Sequence, residues 1–155
     1  MKEGTKIEAA LAGIRRVEDL DDLARVIMPG NRRHQHAFTV IFFVLKWNNG
    51  VVADLHKRAL AHRVTKRVFE RTRAKMHRLG LIEHVSRLSP KHGFRDGWKL
   101  SGKFEKGLEE LASQIRAMKE HKQGTQREKD EFAINLLRPG EPCDTHPPEA
   151  LHHGA

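Results

Sequence analysis

The alternation of apolar and polar residues divides the chain into amphipathic helical segments and one short hairpin. In the first thirty residues, Thr5-Lys6-Ile7-Glu8 has the spacing of a capping box, and a second amphipathic segment ends at Pro29-Gly30. Apolar stripes of this kind need a cover, either from the domain itself or from a second copy of the chain. Residues 1–30 are therefore predicted to form a helical arm, a candidate for dimerisation through Ile7, Leu11, Ile14, Leu20, Leu23 and Ile27.

The middle of the chain contains strongly apolar segments. Phe38 to Leu45 is apolar on nearly every side, and the surrounding stretch Arg32 to Trp47 predicts a buried central helix or, as the alternative, a core strand. Farther along, Leu81 to Leu88 and Trp98-Lys99-Leu100 have strand character and flank a segment punctuated by Gly and Pro. The two strands predict a β-hairpin.

Two helices are predicted between these features. Val51 to Ala61 fits a short helix, His62-Arg63-Val64 fits a turn, and Thr65 to Leu79 fits a longer helix that Gly80 ends. Neither Gly nor Pro occurs between Gly50 and Gly80, so the pattern also permits one continuous helix over residues 52–79. Only the first alternative gives a helix-turn-helix.

A last long helix is predicted after Ser101, which can cap it. Its apolar positions give residues 105–123 a second stripe that is a candidate for dimerisation. These positions are Leu108, Leu111, Ile115 and Met118. Residues 124–155 are predicted to be a polar, mostly disordered tail, with one short helix around Phe132 and disorder from Pro139.

Positive charge is concentrated in the middle of the chain. The 155 residues have a net charge of +9, whereas residues 31–104 hold 17 Lys and Arg against four Asp and Glu, a balance of +13. The segments on either side are slightly acidic. Because so much like charge repels itself, it is usually retained for a polyanionic partner. Residues 31–104 are therefore predicted to be a domain that binds nucleic acid.

The helix predicted from Thr65 to Leu79 separates apolar from basic residues by angle. At about 100° per residue, one face carries Val68, Phe69, Thr72, Met76 and Leu79. A basic opposite face suits the DNA major groove, although a merely solvated amphipathic helix is the alternative. Base contacts are predicted for Lys66, Arg67, Glu70, Arg71 and Ala74, and phosphate contacts for Arg73, Lys75 and Arg78, after a helix start at Thr65.

The tip of the predicted hairpin is basic in its own right. It carries Arg87, Lys91, His92 and Arg95. An arginine presented at such a tip is suited to a narrow minor groove, where the negative potential is enhanced. A second DNA-contacting element is therefore predicted next to the basic helix.

Two segments carry a resemblance to a known family. Leu79-Gly-Leu-Ile-Glu83 resembles the junction between recognition helix and wing in winged-helix regulators. The segment Lys99-Leu-Ser-Gly-Lys-Phe-Glu-Lys-Gly-Leu-Glu-Glu-Leu111 is similar to the strand, cap and helix entry after the wing in the MarR (multiple antibiotic resistance regulator) family. The resemblance covers about Phe38 to Ile115. It implies an α+β fold, mainly α with a small β-hairpin wing, in which a winged helix-turn-helix over residues 31–104 has N- and C-terminal helical arms.

The same resemblance implies a function. It suggests a homodimer on pseudo-palindromic duplex DNA, often with a small-molecule inducer, for which no residue of this chain can be assigned. By motif position, DNA contacts are implied for Lys66, Arg67, Arg71 and Arg95. We therefore expect a homodimeric transcriptional regulator that binds double-stranded DNA. The alternatives are a replication-initiator-like or nucleoid-associated winged-helix protein of low sequence specificity, and an adaptor that binds RNA or protein.

Other functional classes have little support in the sequence. Cys143 is the only cysteine, which excludes an intramolecular disulfide and favours a reducing compartment. His34 and His36 lie beside Arg32 and Arg33 and are interpreted as basic surface rather than metal ligands. Catalytic patterns, Gly-rich phosphate loops, a signal peptide and a membrane-length apolar run are all missing. We expect a cytoplasmic, nucleoid-associated protein with no enzymatic activity, metal or cofactor.

Overall fold

The computed structural model describes Ile7 and residues 11–48, 50–88, 90–93, 95–120 and 125–140. Within these residues the chain forms seven α-helices and one two-stranded antiparallel sheet, which confirms the predicted α+β class. The chain divides into two compact units, residues 1–111 and 112–155. The capping box at Thr5 and most of the tail predicted to be disordered, from residue 141 on, lie outside the described residues. No described helix has the length and apolar character that a bilayer span requires.

The helices and strands follow the order expected from the sequence, with small shifts in their bounds. They are α1 Leu11–Ile14, α2 Leu20–Ile27, α3 Arg32–Trp47, α4 Leu55–Ala61, α5 Lys66–Leu79, β1 Ile82–Val85, β2 Gly97–Leu100, α6 Lys103–Lys119 and α7 Thr125–Leu136. A short 3₁₀ turn, Pro90–His92, lies in the loop between the two strands. The helix predicted around Phe132 is confirmed as α7.

Helix α3 lies at the centre of the core. Asn31 caps it, since its side-chain oxygen accepts a hydrogen bond from the His34 amide at 3.2 Å. Phe38 and Ile41 are fully buried, and the helix contacts α2, α4, α5 and β2. Burial of each such side chain contributes about 1.5–3 kcal/mol. The predicted central helix is confirmed, and the alternative of a core strand is wrong.

Helix α2 is part of this core rather than a projecting arm. Ala24, Ile27 and Met28 are buried among the core side chains. The last carbonyls of α2 receive side-chain donors, because Gln35 Nε2 donates to the Met28 oxygen at 2.9 Å and Lys75 Nζ donates to the Ile27 oxygen. The same chain therefore covers Ile27, which is 1% exposed and has little surface left for the dimer interface predicted for it.

The other apolar residues of the predicted N-terminal arm divide into two groups. Ile7, Leu20 and Leu23 are partly buried and pack against the core. Leu11 and Ile14, by contrast, are 62% and 50% exposed. Periodicity correctly indicated an apolar stripe on α2, but the turn at Pro29-Gly30 lets α2 contact α3, so the domain itself covers most of it.

The segment before α4 pairs with the hairpin instead of extending the helix. The Val52 amide donates to the Trp98 oxygen at 2.8 Å, and the Trp98 amide donates to the Val52 oxygen at 2.9 Å. Gly97 makes this approach possible, because a Cβ atom there would lie 2.4 Å from the Val52 oxygen. The predicted helix start at Val51 is therefore wrong, and α4 begins at Leu55.

Helices α4 and α5 are separate, so the single-helix alternative is wrong. Helix α4 ends at Ala61, and Arg63 adopts a left-handed conformation with φ of 62°. Val64 is buried in the core, and the Thr65 hydroxyl caps α5 by accepting a hydrogen bond from the Val68 amide at 3.4 Å. The turn predicted at His62-Arg63-Val64 is confirmed. It needs no glycine, because Arg63 takes the left-handed position.

Gly80 follows the last residue of α5 and packs against the start of α6. It has φ of 81°, as is common after a helix, and its oxygen accepts a hydrogen bond from the Phe104 amide at 3.1 Å. A side chain at this position would meet the Cβ of Lys103 at 3.0 Å. The conformation and the close packing together explain why glycine occupies this position.

Candidate nucleic-acid interface

The buried face of α5 fixes how the helix is rotated. Phe69, Thr72 and Met76 are buried against the core, as the apolar spacing predicted. The Thr72 hydroxyl lies 3.0 Å from His34 Nδ1, which adds a polar contact between α5 and α3. Since these contacts hold one face inward, the residues on the opposite face must point to solvent.

The exposed face of α5 presents a row of arginines. Arg67, Arg71 and Arg78 are exposed. Ala74 lies between the last two, and the successive spacings of four, three and four residues place all four positions within an arc of about 60° around the helix. Within the described part of the chain, neither Arg67 nor Arg71 forms an ion pair with a carboxylate. Lys66 and the capping Thr65 are also exposed, at the amino-terminal end of the row.

Arg73 does not belong to that row, because its side chain turns towards the hairpin. Its guanidinium donates to Glu70 Oε2 at 2.8 Å and lies over the Trp98 ring. The hydrogen bond from Arg73 is the main reason that the pKa of Glu70 is lowered from its ordinary value. Arg73 and Glu70, both predicted to contact DNA, are therefore engaged with each other in the free protein.

Lys75 is also directed into the protein. Its ammonium group donates to the Ile27 oxygen at the end of α2, and burial lowers the pKa of this lysine. The sequence placed Lys75 at the margin of the basic face and predicted a phosphate contact. The structure instead gives its side chain a role in holding α2 against α5.

The predicted wing residues surround the loop between β1 and β2. Arg87, Lys91 and Arg95 are exposed, whereas His92 is half-buried with its Nε2 atom 3.2 Å from Lys99 Nζ. Asp96 lies at the base of the loop, where its carboxylate is 2.9 Å from His84 Nε2 and 4.0 Å from Arg87 Nε. Ser89 and Phe94 are outside the described residues.

An ion-pair cluster fixes the base of the hairpin. The Glu83 carboxylate lies 2.9 Å from Lys99 Nζ across the β1–β2 pair and 3.1 Å from Lys103 Nζ at the start of α6. Hydrogen bonds from these two lysines lower the pKa of Glu83 to about 2. The hairpin is therefore tied to α6 as well as to α5.

Trp98 is the central residue that sequence reasoning missed. The imidazole rings of His77 and His84 meet its indole edge-on, with centroids 5.4 and 5.0 Å away, and Arg73 covers the ring. Trp98 also forms the backbone pair with Val52. The sequence shows Trp98 in the predicted second strand, but its partners depend on the hairpin register and on contacts with distant segments.

The predicted dimerisation residues of α6 are largely exposed in the part of the chain that the structure describes. Leu108, Leu111, Ile115 and Met118 are between 44% and 69% exposed. The two histidines near the start of α3 have partners within the protein, since His36 Nε2 lies 2.9 Å from the His62 oxygen and His34 Nδ1 lies 3.0 Å from the Thr72 hydroxyl. In the described residues, no three His, Cys, Asp or Glu side chains form a group suited to a metal ion.

No protein-family model, curated protein or solved structure matches this chain. The likeness to the MarR family stays a prediction that rests on the two quoted segments.

Proposed function

We propose that this protein is a homodimeric transcriptional regulator that binds double-stranded DNA through a winged helix-turn-helix over residues 31–104. In this arrangement α5 is the recognition helix in the major groove, and the β1–β2 hairpin is a wing at the backbone or minor groove. The order of elements supports the proposal, because two helices joined by a short turn are followed directly by a basic hairpin.

The observation that carries this proposal is the fixed rotation of α5. The core contacts of Phe69, Thr72 and Met76 leave Arg67 and Arg71 on the exposed side, and no carboxylate in the described part of the chain pairs with either. An arginine fork can bond both acceptors on the major-groove edge of guanine. A helix that only needed solubility would not require two exposed guanidinium groups, those of Arg67 and Arg71, that lack a carboxylate partner within the described residues.

The hairpin supports the same function independently. Arg87, Lys91 and Arg95 are exposed around its loop, while Asp96 is close to His84 and Arg87. Exposed cations at such a loop suit contacts with phosphates, which position a protein on DNA and add affinity. The contacts of Trp98 with Arg73 and His77 hold α5 and this hairpin together, so one duplex can meet both.

The exposed stripe on α6 supports the homodimer. Leu108, Leu111, Ile115 and Met118 are spaced three, four and three residues apart, so they share one side of the helix. Such a stripe on a soluble domain favours an interface. In a symmetric dimer, two copies of α5 can read half-sites about one helical turn apart.

The test begins with duplexes selected from a random pool by the wild-type protein. Affinity for the selected duplex and for a scrambled duplex is then measured at one salt concentration, for wild type and for the double variant Arg67→Ala/Arg71→Ala. We expect the double variant to lose its preference, since each base-contacting arginine contributes about 1–3 kcal/mol. The control is Arg15→Ala/Arg16→Ala, which removes the same charge from exposed positions outside the proposed interface.

The other outcomes separate the remaining functions. Unchanged duplex binding by Arg67→Ala/Arg71→Ala would disprove the proposed interface. An equal loss of affinity for both duplexes would favour a DNA-binding protein of low specificity. If RNA displaced duplex DNA from the wild-type protein, the adaptor function would replace the proposal.

A further inference from the structure

A basic cleft lies where the first turns of α3 and α5 meet. Its wall includes Arg32, Arg33 and His36 from α3, together with Arg63 and Thr65 from the turn before α5. None of the described residues that line this cleft is acidic. Its volume of about 490 Å³ is more than a single phosphate group needs, and the cleft opens to solvent.

The electrostatics of the cleft favour an anion. In the described part of the chain, Arg32, Arg33 and Arg63 have no carboxylate partner. The first backbone N–H groups of any helix lack intrahelical acceptors, and the amino end of a helix carries a partial positive charge. Because two helices begin at this cleft, their amino ends add to the charge of the side chains.

Arg63 is unusual because it carries a long charged side chain at a left-handed position. Its φ of 62° is the only positive value at a non-glycine residue in the described part of the chain. Glycine adopts this conformation without the steric cost that an arginine has. The preceding residue is held in place, since His36 Nε2 lies 2.9 Å from the His62 oxygen. A guanidinium group is thus kept at the cleft at some expense in backbone energy.

We propose that this cleft binds a phosphodiester group of the DNA backbone and forms a third contact area beside α5 and the hairpin. The inference rests on the proposed function and adds Arg32, Arg33 and Arg63 to its interface. The cleft adjoins the amino-terminal end of α5, and recognition helices bring that end closest to the bases. Three arginines line the cleft and it is open to solvent, a combination that suits the backbone of a polymer better than an enclosed small-molecule pocket would.

Salt titrations of duplex binding test this inference. The variants are Arg63→Gly and Arg32→Ala, and the control Arg16→Ala removes one exposed charge outside the cleft. For each cleft variant, we expect the slope of log affinity against log salt to become shallower by about 0.9, one released counterion. Affinity for the selected and the scrambled duplex should fall by the same factor. Arg63→Gly should fold normally, because glycine suits the left-handed backbone, and its melting curve checks this.

The outcomes distinguish this inference from the proposed function. If both cleft variants keep the wild-type slope while Arg67→Ala/Arg71→Ala loses duplex binding, the cleft has no role and the function stands. If wild type binds no duplex, the proposed function fails. A titration with inorganic phosphate, followed by NMR, then shows whether the cleft binds an anion. Shifts of the Arg63 side-chain and Thr65 amide signals that are lost in Arg32→Ala would support an anion site, and unchanged signals in wild type would overturn it.

Discussion

The guanidinium carbon of Arg73 lies 4.6 Å from the centroid of the Trp98 ring. Arg73 is on α5, and Trp98 is on β2, where its backbone also pairs with Val52. The contact therefore links the helix with the arginine row to the hairpin with the exposed cations. Because Arg73 also donates to Glu70, two contacts hold its side chain in this position. Together with the ring contact between His77 and Trp98, this arrangement fixes the relative position of the two proposed DNA-contacting elements.

We predict that Arg73→Met weakens folding more than DNA binding. The substitution removes the cation–π contact and the ion pair with Glu70, which together should lower the free energy of unfolding by roughly 1 kcal/mol. The salt dependence of duplex binding should stay unchanged, because Arg73 is engaged within the protein. Urea unfolding and salt titrations of binding measure the two effects.

The matched control for Arg73→Met is Arg71→Met. Arg71 is exposed and has no ion pair within the described residues, so its substitution should change the unfolding free energy by less than about 0.5 kcal/mol. Its duplex affinity should fall. If the two variants lost the same DNA affinity, the inward assignment of Arg73 would be refuted.

We predict that Glu83 contributes to stability above pH 4.5 and loses this contribution in acid. The pKa of Glu83 is lowered from 4.5 to about 2 in the folded protein, so folding favours its ionised form. The resulting stability is fully present above the unfolded pKa and disappears as pH falls towards 2. Because Glu83 is 24% exposed, we expect about 1–2 kcal/mol after allowance for solvent screening.

The measurement compares Glu83→Gln with wild type. Glutamine keeps the size of the side chain but removes its charge, so the variant should unfold at lower urea concentration at pH 7. The two proteins should converge as the pH approaches 2. If the difference in unfolding free energy between the two proteins stayed constant from pH 7 to pH 2, the ion pairs with Lys99 and Lys103 would not be the cause of that difference.

We predict that Gly97→Ala strongly destabilises the domain. A methyl group there would lie 2.4 Å from the Val52 oxygen, which breaks the backbone pair between Val52 and Trp98 or moves the hairpin. A loss of more than about 2 kcal/mol is expected, in line with overpacking and lost hydrogen bonds. Gly102→Ala is the control, because nothing lies within 4 Å of its added Cβ. Equal melting temperatures for the two variants would contradict the close approach.

We predict that the exposed stripe of α6 forms the dimer. Wild type should have the mass of a dimer by light scattering, and Leu111→Lys/Ile115→Lys should have the mass of a monomer, because lysines cannot be buried without partners. Leu88→Lys is the control, since Leu88 is 88% exposed in the hairpin loop. A wild-type protein that is strictly monomeric at micromolar concentration would rule out the dimer.

The sequence by itself determined the identity of the main elements. The end of α5 followed from Gly80, its buried face from the spacing of Phe69, Thr72 and Met76, and the central helix from the apolar run in α3. These features depend on residues close together in the chain, where periodicity and helix-end preferences act. The exposure of Arg67 and Arg71 followed from the same periodicity.

Only the tertiary structure decided which long side chains remain available at the surface. Arg73 and Lys75 lie at the margins of the exposed face, and each turns to a partner from a distant segment, Trp98 or the Ile27 carbonyl. Helical spacing gives the direction of a side chain around the helix, but it does not say which residue of a distant segment that side chain contacts. For the same reason the burial of Ile27 was not predictable, because it depends on contacts made across the turn before α3. Long-range packing thus removes Arg73 and Lys75 from the candidate DNA-contacting residues of α5 and leaves its exposed row of arginines.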